Sequence, residues 1–489
     1  MPLKSSNLCA MLIGRKKEQA ILRNLLEKEE PQFCAVYGRR RVGKTYLIRE
    51  TFNYQFAFQH TGFARASLSK QLAGFRDSLQ RANGKRFRIP RSWMEAFGML
   101  EEVLAEKTER KKVVFLDELS WMDTPKSNFV SALEHFWNSW ATARREKDIV
   151  LIVCGSSSSW ITKKIFHNHG GLHNRLTERI HLAPFSLAEC ECYAKVSGLN
   201  MSRKEITEAY MIFGGVPYYW SLLDREYSLA QNIDRLFFGT EGKLQGEFND
   251  LYASLFENTE PYLSIVEALG EKKAGMTRME LEEIIGKTSS GTLTKRLEDL
   301  ELSGFLRRYA CIGKKERSTL YQLIDPFTLF YFSFMKGNQG SDEHYWTALL
   351  ESPIHSTWAG LAFERVCLWH VPQIKQALGI AGVSSQVYSW TYWPKKQKGE
   401  EEDKGAQIDL LIDRNDKVIN LCEMKFSETE YTVSAKEEEN LRHRRSTFSE
   451  VTKTRKAVHI TLVTTYGLKR TAHAGIVQQV VTMEDLFKE

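Results

Sequence analysis

Residues 38–45 read Gly-Arg-Arg-Arg-Val-Gly-Lys-Thr, and no other stretch constrains the chain as much. The apolar run Gln32-Phe-Cys-Ala-Val-Tyr37 before it reads as a buried strand, and Tyr46-Leu-Ile-Arg-Glu-Thr-Phe52 after it continues as a helix. Strand, glycine-bearing loop and helix in that order make a phosphate-binding loop, in which the glycines let backbone N–H groups turn inward around phosphate oxygens. Lys44 supplies a point charge to the outer phosphates, and the Thr45 hydroxyl is a ligand for Mg²⁺. Gly38, Arg41, Val42, Gly43 and Tyr46 complete the set expected against the nucleotide. The plainer alternative is a Gly-rich turn ahead of an ordinary helix. The pattern predicts binding of ATP or GTP.

Such a loop needs a metal-holding carboxylate on a neighbouring strand. Lys111-Lys-Val-Val-Phe-Leu-Asp-Glu118 supplies one, since Val113 to Leu116 are wholly apolar, as in a strand covered on both faces. Asp117 follows at the C-terminal edge, where ligands bind in such sheets, and is assigned to Mg²⁺, directly or through water. Glu118 is the candidate base for the attacking water. The competing role for Asp117 is to cap the next helix. A third apolar strand, Asp148-Ile-Val-Leu-Ile-Val-Cys154, ends in Gly155-Ser-Ser-Ser-Ser159. Ser156, with Ser157 close behind, is the candidate contact to the γ-phosphate or the lytic water; a serine-rich turn without ligand contact is the alternative.

A length of 489 residues suits about three domains. With 42 % hydrophobic residues the chain can bury sizeable cores, and no low-complexity tract argues for disorder. No apolar run approaches the roughly 20 residues that span a bilayer. Arg15, Lys16, Lys17 and Glu18 break any signal-peptide apolar region. The eight cysteines are scattered, Cys34, Cys154 and Cys422 inside apolar strands, without paired metal-binding motifs. A cytoplasmic protein with reduced thiols and no membrane partner is expected. The net charge of +7 permits an anionic partner without demanding one.

Ile13-Gly-Arg-Lys-Lys-Glu18 opens the N-terminal domain, and a helix follows with Ile21, Leu22, Leu25 and Leu26 on one face. Phe56 to Gln59 is the expected second strand, and two amphipathic stretches, about 67–82 and 92–108, separate it from the Asp117 strand. Beyond the serine loop, Arg175 and Arg179 either reach the γ-phosphate or pair with surface carboxylates. Phe213-Gly-Gly-Val-Pro-Tyr-Tyr219 is an elbow between helices, facing a nucleotide or simply a turn.

Residues 10 to 240 resemble the archaeal-type ATPase family, in the signal-transduction branch of the AAA+-related P-loop ATPases. The resemblance rests on Ile13-Gly-Arg…Glu18, Tyr37-Gly-Arg-Arg-Arg-Val-Gly-Lys-Thr45, Phe115-Leu-Asp-Glu118, Gly155-Ser-Ser157, Leu172…Arg175 and Gly214-Gly-Val-Pro217. It implies a five-stranded parallel core with a helical lid, ATP rather than GTP, and closure of Gly214 and Pro217 over adenine and ribose. No residue stands out as an arginine finger, which leaves room for a homo-oligomer that completes the site.

The middle segment has a different rhythm. Pro261 to Leu269 and Thr277 to Ile285 are expected helices, the second opened by a capping box of Thr277 and Glu280. A third helix runs from Ser289 to Leu302, and Phe305–Tyr309 and Ser318–Leu323 form a hairpin around the basic tip Gly313–Arg317. Three helices and a hairpin make a winged helix-turn-helix. Ser289, Ser290, Thr292, Thr294 and Lys295 are placed to enter a DNA major groove, and Lys314, Lys315 and Arg317 to meet phosphates. A packing or relay module is the alternative. The aromatic helix Asp325–Phe334 closes the segment, its rings expected in core rather than stacked on bases.

The C-terminal third carries a second chemical signal. Gln407–Asp413 and Lys417–Phe426 read as a hairpin turning at Asn415 and Asp416. With period two, Glu423 and Lys425 share one face and Met424 takes the other. A charged pair on an otherwise apolar strand is costly unless it binds something. Asp409 lies on the preceding strand, and an upstream helix, Trp358–Val366, presents Glu364 with Phe363 and Val366 on its apolar side. Together these residues resemble the PD-(D/E)XK nuclease superfamily over about residues 350 to 489, with Ile408 where the superfamily's proline would stand. The resemblance implies Mg²⁺, or Mn²⁺, held by Asp409, Glu423 and the Met424 carbonyl, with Lys425 activating the water and Glu364 joining the catalytic set. Lys395–Lys404 is an expected solvated hairpin tip, and Arg442, His443, Arg444 and Arg445 form either a phosphate-contact row or a solvated helical face.

The expected architecture is α/β in three parts: a P-loop parallel-sheet ATPase core with helical lid at 1–240, a winged helix-turn-helix at 241–340 and an α/β nuclease-like domain at 341–489. Two functions follow. One is an ATPase coupled to metal-dependent cleavage of nucleic acid, DNA before RNA, a pairing suited to defence or genome maintenance. The other is a regulatory or signalling ATPase that binds DNA or a protein without cutting.

Overall fold

Gln32–Tyr37 (β1) is buried along nearly its whole length, as are Lys112–Asp117 (β3) and Ile149–Gly155 (β4). Strands without a solvent face need cover on both sides, which parallel sheets provide through crossover helices. With Phe58–Thr61 (β2) and Glu178–His181 (β5) these strands form an all-parallel sheet in the order β2-β3-β4-β1-β5. Phe33 and Ala35 of β1 join Val114, Leu116, Leu151 and Val153 on one face, packed with Phe75, Trp93, Phe97 and Phe136 from the covering helices. Cys34 and Val36 point the opposite way, with Phe115 and Ile152, against Leu22 of the helix Lys16–Asn24, Leu25 at its C-terminal cap, and Leu47 and Ile48 of the helix Lys44–Thr51. The second strand starts two residues later than its apolar content suggests. The ladder is set by Phe58 opposite Val114, while Phe56 packs against the sheet face on Phe115.

The computed structural model describes residues 12–167, 170–172, 174–256, 258–272, 274–286, 290–309, 312, 319–338, 342–392 and 405–489. The chain divides into two units, Met1–Pro184, which holds the parallel sheet, and Phe185–Glu489. The helices around Gly214 and Pro217 lie in the second unit. Among the described residues no helix is long and apolar enough to cross a membrane.

Among its described residues the second unit contains two sheets. Met276–Thr277 (β6), Leu306–Tyr309 (β7) and Leu320–Leu323 (β8) pair antiparallel in the order β6-β8-β7, beside the helices Glu260–Glu271, Arg278–Ile285 and Ser290–Leu302. Thr277 and Glu280 form the capping box on the middle helix. Phe327, Phe330 and Phe334 of the aromatic segment are buried, Phe330 and Phe334 against Trp346 and Trp358. Ser289, Lys314, Lys315, Arg317 and the stretch Lys395–Lys404 lie outside the described residues, at least in part.

The larger sheet is mixed. Ser385–Tyr392 (β9), Ala406–Arg414 (β10) and Val418–Lys425 (β11) run antiparallel, and Ala457–Thr464 (β12) and Gln479–Thr482 (β13) continue parallel to β11, giving β13-β12-β11-β10-β9. The hairpin of β10 and β11 is flanked by three strands that sequence reading did not assign. Leu410, Ile412, Cys422 and Met424 face the helix Pro353–Trp369, which buries Phe363, Val366 and Cys367 in the same core. Leu411, Ile419 and Leu421 belong to a separate cluster with Trp390 and Phe448, the latter on the helix Ala435–Thr452.

Candidate functional site

The loop after β1 owes its path to three residues with positive φ: Gly38 at 146°, Arg41 at 71° and Gly43 at 87°. Gly38 has no room for a side chain, since a Cβ there would lie 2.3 Å from the Leu182 carbonyl oxygen. Gly43 caps the helix Lys44–Thr51 in the left-handed conformation that glycine adopts without cost. Lys44 is buried, and its ammonium donates to the carbonyl oxygens of Gly38 at 2.9 Å and Arg39 at 2.8 Å. Burial pushes the Lys44 ammonium below the usual lysine range, against the pull of the Glu118 and Asp117 carboxylates. Val42 turns its side chain into the core, so only its backbone can face a phosphate, and Tyr46 is exposed.

Asp117 ends β3 and is buried. The Thr45 hydroxyl donates to both of its carboxylate oxygens, at 3.0 and 3.2 Å, which brings the two expected Mg²⁺ residues together. Two further donors reach Asp117 Oδ1: the Glu118 amide at 3.0 Å and the Cys154 thiol at 3.2 Å. Sequence reading placed Cys154 only in the apolar interior. The parity of β4 puts its thiol beside the carboxylate.

Glu118 sits at φ 50°, a strained setting for a side chain with a Cβ. Ser156, at the tip of β4, holds it from two sides, its hydroxyl donating to Glu118 Oε2 at 2.9 Å and its amide at 3.3 Å. Ser156 therefore contacts the candidate base itself. Gln71 has no signal in the local sequence pattern, yet it is fully buried. It accepts from the Phe63 amide and donates to the carbonyl oxygens of Phe63 and Trp121, tying the loop after β2 to the helix after Glu118. Arg175 is exposed, with Nε 3.4 Å from the Gly171 carbonyl oxygen, and Arg179 lies over the Phe166 ring at 4.6 Å. Pro217 opens a short helix of the second unit, after Gly214 at φ 58°.

A second cluster forms in the larger sheet of the second unit. The β10–β11 ladder ends at Leu410 opposite Cys422, so Asp409 and Glu423 are the next residue on each strand. On its other side β10 shifts register between Ile408 and Leu411, a bulge that contains Asp409. Bulges re-aim side chains and are common beside functional sites. Gln407 Nε2 donates to Asp409 Oδ1 at 2.8 Å. Glu423 receives Lys425 Nζ at 2.9 Å on one oxygen and the Arg444 guanidinium on the other. Of the four basic residues expected as a phosphate row, Arg444 turns to this carboxylate, and Arg442 pairs with Glu438 one helical turn away.

The electrostatics divide the acids. Burial raises the Glu364 carboxyl to about 7, with the Asp409 and Glu423 carboxylates adding to the effect. Burial works on Glu423 in the same direction, but Lys425 and Arg444 overcome it and hold that carboxyl below the usual range. Met424 points away into the core. The donors are hard oxygens of the kind Mg²⁺ and Mn²⁺ take. As arranged here Glu423 is engaged by two cations and Asp409 by the Gln407 amide, and among the described residues no three His, Cys, Asp or Glu groups are placed to hold a metal ion.

Residues 12–223 match the family model described as an ATPase domain predominantly from Archaea, so this segment carries an archaeal-type ATPase domain. An uncharacterized protein of Methanocaldococcus jannaschii is 22 % identical over 431 residues, covering 86 % of this chain and 88 % of its own length. Among solved structures, the Walker-type ATPase of Pyrococcus abyssi aligns with TM-score 0.49 at 18 % identity, covering 65 % of this chain and 95 % of that one. The ORC2 protein of Aeropyrum pernix, in ADPNP–ADP complexes, aligns with TM-score 0.42 at 14 % identity, covering 66 % and 93 %.

Proposed function

We propose that this chain binds and hydrolyses ATP with Mg²⁺ at the loop of residues 38–45, and that its C-terminal part cleaves nucleic acid, DNA before RNA, with a divalent metal. The observation that carries the first half is the joining of Thr45 to Asp117 and of Ser156 to Glu118 at the C-terminal edge of one parallel sheet. Lys44 already donates to two carbonyl oxygens, and phosphate oxygens would replace them as acceptors. Thr45 and Asp117 would hold Mg²⁺, which neutralises charge developing on the phosphates. Glu118 takes the proton of the attacking water, and Ser156 sets where that carboxylate stands. Arg175 would stand near the outer phosphates.

For the second half, Glu364, Asp409, Glu423 and Lys425 act on one another electrostatically where β10 and β11 part. Asp409, Glu423 and the Met424 carbonyl would hold Mg²⁺ or Mn²⁺, which would polarise the scissile phosphate when bound. Lys425 would then leave Glu423 to orient the water and stabilise the developing charge. Glu364, with its raised pKa, can carry a proton near neutral pH. We take 1–240, 241–340 and 341–489 as ATPase, winged helix-turn-helix and nuclease-like parts, the middle one presenting Lys314, Lys315 and Arg317 to DNA. Defence against foreign DNA or genome maintenance would use such a pairing.

One observation favours a second reading, a regulatory ATPase that does not cut. Both oxygens of Glu423 are taken by cations, as in a carboxylate kept for structure. The deciding experiment incubates plasmid, single-stranded DNA and RNA with Mg²⁺ or Mn²⁺, with and without ATP. The native protein is expected to cut. Asp409→Ala and Glu423→Ala are expected to lose about 100-fold or more in rate while ATP turnover is kept. A native protein that cuts nothing in any nucleotide state leaves the regulatory reading standing.

A further inference from the structure

Arg444 stands where its helix should be apolar. Along Ala435–Thr452 it falls between Leu441 and Phe448 on one stripe, since residues three and four apart share a helix face. Leu441 and Phe448 are buried on the larger sheet, Leu441 with Ile460 and Phe448 with Trp390. A cation on such a stripe is costly unless it is paired. Arg444 is paired with Glu423, its guanidinium donating to Oε2 while Lys425 Nζ takes Oε1 at 2.9 Å. Lys425 reaches Glu423 from the same strand, whereas Arg444 is carried to it by a separate element.

The charge of Arg444 also reaches the other two acids. Burial works to lower its pKa, but Glu423 first, then Asp409 and Glu364, overcome it and hold the guanidinium above the usual arginine range. The carboxylates of Asp409 and Glu423 are thus matched by two cations, Lys425 and Arg444, and little negative charge is left over to attract a divalent ion. Beside Glu423 lies a cavity of about 50 Å³, lined also by Lys425, Tyr431, Glu437 and Arg444. Such a volume holds a small number of waters, and Mg²⁺ keeps several of its own. Glu437 is taken up by the Tyr431 hydroxyl and by its capping box with Ser434, so Glu423 is the acid that this cavity presents to a cation. The space and the oxygen ligands suit a hard cation. What does not suit it is the guanidinium already on Glu423.

We propose that Arg444 is a positioning residue that holds the metal's place on Glu423, so that a divalent ion binds at Asp409 and Glu423 only as the guanidinium leaves. The proposal rests on the metal-binding reading of these two acids. It adds that their affinity for metal is set by a residue outside the two strands that carry them. Glu423 exchanges one cation for another, and Lys425 stays within reach on its own strand. Removing Arg444 removes the competitor, so metal binds more tightly. A Glu423 kept only for structure predicts otherwise: loss of its partner would weaken the fold and bring no gain in metal affinity.

The test titrates Mn²⁺ into the full chain, without nucleotide or nucleic acid, and follows the free ion by electron paramagnetic resonance. Glu423→Ala supplies the baseline, because Thr45 and Asp117 of the first unit remain in it. Above that baseline, Arg444→Met, which suits the apolar stripe, is expected to bind Mn²⁺ at least about fivefold more tightly than native, as loss of one partly exposed ion pair implies. Arg444→Lys, which keeps a cation, should return the affinity toward native. If Arg444→Met does not fold, Arg444→Gln decides. The proposal is overturned by Mn²⁺ binding no tighter than native in the folded variant, by Arg444→Lys binding as tightly as Arg444→Met, or by no binding above the baseline in any of them. Cleavage is scored separately. Tighter Mn²⁺ binding in a chain that cuts nothing keeps the proposal and removes the nuclease reading, and cutting with unchanged affinity in Arg444→Met does the reverse.

Discussion

Replacing Glu118 by glutamine separates binding from hydrolysis more cleanly than any other change at the nucleotide site. Glu118 Oε2 accepts from the Ser156 hydroxyl at 2.9 Å and the Ser156 amide at 3.3 Å. A glutamine carbonyl can accept both, so the side chain keeps its place and loses only its charge. The weakening of two charge-assisted hydrogen bonds to neutral ones costs about 1 kcal/mol of stability. In a chain of this size that lowers the melting temperature by only a few degrees. The Thr45–Asp117 pair and the Lys44 contacts are untouched, so nucleotide affinity is expected to stay within about threefold. Turnover is another matter. A positioned general base contributes about 10²–10⁴-fold, so the rate constant at saturating Mg²⁺·ATP should fall by at least about 100-fold. Phosphate release measures the turnover, and a fluorescent ATP analogue measures the binding. A glutamine variant that hydrolyses ATP within about threefold of native would remove Glu118 from the mechanism, and one that binds no nucleotide would make its role structural.

Two further outcomes are open to simple checks. Phe97 is 1 % exposed and stacks on Phe136 at 5.3 Å amid Phe75, Trp93 and Phe129. Phe97→Ala should cost the first unit about 3–5 kcal/mol in denaturant unfolding. His370 is held in one neutral tautomer, Nδ1 donating to the Val366 carbonyl oxygen at 2.8 Å and Nε2 accepting from the Leu187 amide at 3.1 Å. Burial lowers its pKa to about 4, against about 6.5 when unfolded. The unfolded chain therefore binds the extra proton between these values. Stability attributable to His370 is whole above about pH 6.5 and falls by up to about 3 kcal/mol as the pH drops to 4. His370→Gln should flatten that stretch of the stability-against-pH curve, and an imidazole that titrates near 6.5 by NMR would contradict the assignment.

What could be read from the sequence is what lies in short, uniform stretches. β1, β3 and β4 are continuous apolar runs because both faces are covered, and the loop, Asp117, Glu118 and Ser156 sit at their ends. The capping box at Thr277 is equally local. The rest needed the third dimension. Arg444 meets Glu423 across 21 residues only because the helix Ala435–Thr452 lies over the β11 face that carries Glu423. The bulge at Asp409 answers to the pairing of β10 with β9, a strand whose mixed polar and aromatic residues hide its periodicity. Gln71 ties the loop at Phe63 to the helix at Trp121, 50 residues further on from Gln71, and obeys no local pattern.

Calorimetric titration of the native chain, Lys44→Ala and Asp409→Ala with Mg²⁺·ATP tests most directly whether the loop of residues 38–45 is the nucleotide site. Lys44 is a buried cation at the end of that loop, so its loss should weaken binding by about tenfold or more. Asp409→Ala, on a different sheet, should bind one equivalent with native affinity. Native-like binding by Lys44→Ala, or a loss of binding in Asp409→Ala instead, would contradict the assignment.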